Sequence, residues 1–197
     1  MGFLKKITLF GLIASLATAL PQHTRPTATA TLVPVTSSTS VTPSATPTTT
    51  GPSSSSGSGI NIVNNLNQTV YLWSISNTGG DMQTLPASGG TYTEKWRINS
   101  DGGGISIKMA TTTSLSSVLQ FEYTKGDDTL WWDLSSINLA PDSLFISSGF
   151  QVTTDDSSCS SATCHAGDVG CKDAYQKPDD VDTRSCSSAA AFKLVLG

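Results

Sequence analysis

The chain has 197 residues, of which only 13% are charged, and its 11 Lys and Arg against 15 Asp and Glu give a formal charge of −4. Lys5, Lys6 and Arg25 all precede residue 60, so residues 60–197 keep 8 of the basic residues and all 15 acidic ones, a balance of −7. That excess excludes nucleic acid and anionic membrane as expected partners, because both select clustered Lys and Arg.

Residues 1–19 have the layout of a signal peptide: Lys5 and Lys6 lead, residues 7–16 are mostly apolar, and Ala17-Thr18-Ala19 supplies small residues for cleavage. The apolar run is too short for a permanent transmembrane anchor. Cleavage after Gln22 instead would place His23 at a new N-terminus, where imidazole and amine together bind copper. Residues 20–59 are dominated by Ser, Thr, Pro and Ala and contain no acidic residue. Such a segment buries too little apolar surface to offset its ordering entropy, so an extended, solvated stalk is expected. It serves either as a carrier of O-linked sugars or as a plain linker. Residues 60–197 have the length of one domain.

Within that domain the periodicity is that of strands. Val70 to Ile75 comes first, after the sequon Asn67-Gln68-Thr69, where a glycan on Asn67 is expected at a turn. A strand over 91–98, with Tyr92 and Trp96, follows. Ile105, Ile107 and Met109 alternate with Ser106 and Lys108; Leu119, Phe121 and Tyr123 alternate with Gln120 and Glu122; Phe192, Leu194 and Leu196 repeat the pattern. Gly- and Asn-rich clusters at 77–80, 88–90, 99–104 and 125–128 punctuate these runs. The expectation is an all-β antiparallel sandwich or flattened barrel without a long amphipathic helix.

Four cysteines, Cys159, Cys164, Cys171 and Cys186, fall in the last quarter of the chain. In an exported domain they read as two disulfides, and their number leaves three pairings open. Zinc held by the thiols and His165 is the competing reading, disfavoured by an oxidising compartment and by the absence of a C-x-x-C pair. His165 is the only histidine of the domain, so neither a catalytic thiol nor a Ser/His/Asp triad can be assembled. Glu122 and Asp133 could be the carboxylate pair of a glycosidase. The alternative is a solvated Glu122, or one paired with Lys108, and an Asp133 that caps a turn. Asp179, Asp180 and Asp182 lack the spacing of a calcium loop and read as a solvated turn. Trp131 and Trp132 are adjacent and on a strand point to opposite faces, one into the core and the other free to stack on a sugar ring. No metal or cofactor is expected.

Several motifs in shared order resemble the thaumatin-like superfamily: Cys171-Lys172-Asp173-Ala174-Tyr175, Asp179-Asp180, Thr183 and Cys186 near the end, preceded by Cys159 to Cys164, Gly149-Phe150-Gln151-Val152, Trp131 to Ser135, Glu122-Tyr123 and the opening Ile60 to Asn65. The short domain, few cysteines and Ser/Thr-rich stalk are most similar to the fungal antigenic thaumatin-like group, the Blastomyces yeast-phase-specific family. The resemblance implies a thaumatin-like sandwich lacking the disulfide-rich second domain, since only six residues separate Cys164 from Cys171. It implies the nested disulfides Cys159–Cys186 and Cys164–Cys171. It also implies an acidic face carrying Glu122, Asp133 and Asp180, with Gly104 where larger members have an arginine and Ser148 where they have a fourth acid. The expected function is that of a secreted or wall-associated monomer that binds polysaccharide, β-glucan, without cleaving it. A host-facing antigen, adhesin or effector bound to a surface protein, and a weak endo-β-1,3-glucanase, are the alternatives.

Overall fold

The computed structural model describes residues 57–197; the signal-peptide and His23 readings and the stalk up to residue 56 lie outside them, and Gly59, expected as the last stalk residue, already opens the first strand. Eleven strands and one short helix follow in chain order: β1 Gly59–Asn64, β2 Val70–Ile75, β3 Gln83–Leu85, β4 Gly90–Glu94, β5 Ile105–Ala110, β6 Leu119–Lys125, β7 Thr129–Ser135, α1 Leu144–Ser148, β8 Phe150–Thr154, β9 Ala162–Cys164, β10 Arg184–Ser187 and β11 Ala191–Leu196. They form two sheets, ordered β4-β1-β11-β8-β9 and β10-β7-β6-β5-β2-β3. The sandwich is antiparallel as expected except at one strand pair, where β1 runs parallel to β11 with Ile62 opposite Leu194.

Alternation decides which residues lie between the sheets. Ile105, Ile107 and Met109 of β5, Leu119, Phe121 and Tyr123 of β6, and Leu130, Trp132 and Leu134 of β7 are all buried. Facing them from the other sheet are Ile60 and Ile62 of β1 and Phe192, Leu194 and Leu196 of β11. Each fully buried apolar side chain of this size contributes roughly 1.5–3 kcal/mol. An aromatic knot occupies the middle, with the ring of Phe192 5.1 Å from Trp132 and 5.3 Å from Trp96, both edge-on.

Trp96 also explains why the strand expected over 91–98 ends early. β4 stops at Glu94, and the chain turns inward so that Trp96 enters the core and its indole Nε1 donates to the Ala190 carbonyl at 2.9 Å. Burying that large ring outweighs two more residues of edge pairing. The helix α1 is a five-residue turn: the Ser143 hydroxyl accepts from Phe145 N, and Gly149, at φ 79°, ends it.

Two disulfides staple the C-terminal quarter. Cys164–Cys171, with Cα atoms 5.4 Å apart, closes the short loop that holds His165; Cys159–Cys186, at 5.3 Å, ties the β8–β9 connection to β10, an edge of the other sheet. Only six residues lie inside the smaller loop, so no second domain is inserted there.

Candidate functional site

The outer face of the six-stranded sheet carries the site. In β6 and β7 the residues between the core positions point outward, and the register sets them side by side: Ser106 faces Glu122, and Glu122 faces Asp133. Directly opposed residues on one face place their Cβ atoms about 4.5–5.5 Å apart. Two acids in that relation make a local negative field with no cation between them. Around the pair opens a groove of about 370 Å³, lined also by Gly104, Thr124, Trp131 and Thr183.

Asp133 responds strongly to this setting. Burial, and then the neighbouring Glu122 charge, push its carboxyl up to about 7; Arg184 acts in the opposite sense and Asp182 adds to the rise. Arg184 does not enter the groove as a free cation. Its guanidinium pairs with Asp173 at 3.0 Å, donates to the Asp182 carbonyl at 3.0 Å and lies 5.3 Å from the Trp132 ring centroid.

The structure divides the sequence-derived candidates. Glu122, Asp133 and Trp131 come together in the groove. Asp133 stands in mid-strand and caps no turn, and Lys108 donates to the side-chain amide oxygen of Gln120 rather than to Glu122. Trp131 is 45% exposed, while Trp132 is fully buried, so of the two indoles only Trp131 can stack on a ligand. Asp180 does not line the groove: its carboxylate accepts from Gln176 N and Lys177 N, both at 2.8 Å, and these N–H groups hold it below the usual carboxylate range. It is Asp182, two residues on, whose charge reaches Asp133. Alternation could not single out Asp182, because residues 176–183 form no regular element.

The two positions that the family resemblance singled out, Gly104 and Ser148, lie in different surroundings. Gly104 lines the groove, and a Cβ there would meet Thr124 Oγ1 at 3.0 Å and the Tyr123 carbonyl at 3.1 Å. A side chain there would need the Thr124 hydroxyl and the Tyr123 backbone to give way slightly. Ser148 ends α1 and borders a separate depression beside His165, so it contributes nothing to the groove. Among the described residues no three His, Cys, Asp or Glu side chains converge as a metal cage, and no helix is long and apolar enough to cross a membrane. Asn67 is exposed in the bend between β1 and β2.

Two sheets of this order form a β-sandwich with an acidic groove on the outer face of one, and the relatives that the chain matches are thaumatin-like proteins. The chain belongs to the Blastomyces yeast-phase-specific protein family, whose pattern matches residues 47–197. It is 54% identical over 139 residues to the secreted thaumatin-like protein calA of Emericella nidulans, covering 71% of this chain and 81% of that one. It is 39% identical over 137 residues to the antigenic thaumatin-like protein of Arthroderma benhamiae, covering 69% of each. Among solved structures, the protein elicitor MoHrip2 from Magnaporthe oryzae superposes with a TM-score of 0.58 at 25% identity, covering 70% of this chain and 97% of that one. The protein is thus a secreted thaumatin-like protein.

Proposed function

We propose that the groove binds a neutral polysaccharide chain, β-1,3-glucan, and does not cleave it. The observation that carries this reading is the placement of Glu122 and Asp133 side by side in a groove that the half-exposed Trp131 also lines. Sugar hydroxyls donate well to carboxylates, Ser106, Thr124 and Thr183 add hydroxyls of their own, and an indole packs against the apolar face of a pyranose. Hydrolysis asks for more. A glycosidase needs its proton donor and its nucleophile or base to flank the scissile bond. Glu122 and Asp133 rise as neighbours from one sheet and meet a ligand from the same side, an arrangement suited to holding a chain.

The test is retention on insoluble β-1,3-glucan combined with a reducing-sugar assay. The parent is expected to be retained without releasing product, and both Trp131→Ala and the Glu122→Gln/Asp133→Asn pair to lose retention while staying folded. Undiminished retention of those variants places the ligand elsewhere. Oligosaccharide release that Glu122→Gln abolishes establishes a glucanase.

A second reading is a host-facing interaction protein. It is favoured by the names of two relatives, one antigenic and one an elicitor, and by apolar side chains left bare on the surface, Val181 at 93% and Ile98 at 64% exposure. Failure of glucan retention together with capture of a host surface protein by the groove face would decide for it.

A further inference from the structure

We propose that Asn67 carries an N-linked glycan, and that the fold holds this glycan at the pole of the sandwich opposite the acidic groove. Asn67-Gln68-Thr69 is the only Asn-x-Ser/Thr sequence in the chain, and the residue between is not proline. A secreted chain passes through the compartment where such sites are modified. There the Asn67 side-chain amide attacks C1 of a polyisoprenyl-pyrophosphate oligosaccharide. The Nδ2–C1 bond forms, the bond from C1 to the pyrophosphate oxygen breaks, the amide gives up one proton and the lipid pyrophosphate leaves.

The finished fold leaves room for the product at this asparagine and not at the nearby Asn64. Asn64 is buried, and its amide donates to the carbonyls of Gln68, Leu85 and Pro86 at 2.9, 3.1 and 2.9 Å while its Oδ1 accepts from Leu66 N. Leu66 is buried as well, so the loop is pinned on both sides of a side chain that itself points to solvent. A sugar on Asn67 therefore displaces nothing.

Register fixes the pole. Asn67 precedes β2, whereas Ile75, at the far end of that strand, lines the groove; six residues of strand separate them by about 17 Å. The strand next door agrees: Gln68 reaches the Thr111 carbonyl just past the end of β5, while Gly104, just before its start, borders the groove. Asn67 and the groove thus lie toward opposite ends of the six-stranded sheet.

The experiment uses the secreted full-length chain. Glycopeptide mapping before and after treatment with a peptide-N-glycosidase is expected to find hexosamine-containing glycan on the peptide holding residue 67, and to find aspartate there after release. Thr69→Ala, which keeps the asparagine, is expected to leave it bare. Hydroxyl-radical footprinting of Trp131 is expected to give equal oxidation with and without the glycan. Asn67 unmodified in every secreted peptide overturns the site, and protection of Trp131 by the glycan overturns the placement. Neither result depends on whether the groove binds glucan.

Discussion

At the scale of single residues, Asp133 is where fold and chemistry oppose each other. Its carboxyl titrates near 7 in the folded protein, raised from the ordinary 3.8 mainly by burial and by Glu122. The folded state therefore holds a proton between about pH 4 and 7 that the unfolded chain has released, and stability contributed by this group falls as pH rises through that window. Above it, ionised Asp133 beside Glu122 costs on the order of 1–2 kcal/mol after discounting for solvent. Asp133→Asn should remove that slope and be more stable than the parent at pH 8 but not at pH 4; urea titrations at the two values measure it, and equal pH dependence in both proteins would contradict the coupling. The adjacent indoles give a second contrast. Trp132→Ala empties a fully buried site between Phe121 and Phe192 and should cost about 3–5 kcal/mol. Trp131→Ala, on the solvent side and 45% exposed, should cost clearly less, about 1–2 kcal/mol, while abolishing glucan retention. Denaturation midpoints of the two variants, measured side by side, check the assignment of faces.

At the scale of elements, the two staples should differ in worth. In the chain-entropy picture a bridge is worth more when it closes a longer loop, about 3.5 kcal/mol for the separation of 27 at Cys159–Cys186 against about 2.4 kcal/mol for the separation of 7 at Cys164–Cys171. Replacing each pair by alanine should thus lower the unfolding free energy more for the first, and the reverse order in denaturant melts would count against this account. The pairing itself could not be read from spacing, which leaves three solutions; only the likeness to a family singled one out. Strands were legible wherever one face is core and the other water, as in β5, β6 and β11, because a half-buried strand must alternate. β3, β9 and β10 are three or four residues long, too short for a period, and their existence rests on partners far away in the chain. The parallel pairing of β1 with β11 is of the same kind: local pattern makes both strands, and nothing local sets their direction. The groove was half legible for the same reason. Glu122 and Asp133 fall on the polar face of patterned strands, whereas Asp182 acts from an irregular segment.

At the scale of the whole molecule, one buried carboxylate joins the two sheets. Glu94, at the end of β4 and only 9% exposed, accepts from the phenol of Tyr92 at 2.7 Å and from that of Tyr123 at 2.6 Å. Tyr92 lies on the same edge strand, but Tyr123 belongs to β6 of the opposite sheet and also lines the groove, so the carboxylate fastens the five-stranded sheet to the ligand-bearing one. Arg97 adds a weaker contact at 3.4 Å and anchors on the Ser74 hydroxyl at 2.6 Å. Both phenols must stay protonated to donate. Burial, followed by the hydrogen bond to Glu94, pushes Tyr92 up to about 12 and Tyr123 higher still, from an ordinary 10. In the unfolded chain both would ionise near 10, so above that pH the folded state binds more protons than the unfolded one and stability falls steadily as pH rises. Of the four tyrosines, two should therefore give their phenolate absorbance only when the sandwich opens, in a step coincident with loss of near-ultraviolet circular dichroism. Glu94→Gln should weaken the clasp by about 1–3 kcal/mol at neutral pH and move that step to lower pH, since the anionic acceptor is gone. If all four tyrosines instead titrate reversibly near pH 10 with the dichroism intact, the sheets are held by their apolar core and the Cys159–Cys186 bridge, and Glu94 is not a fastening between them.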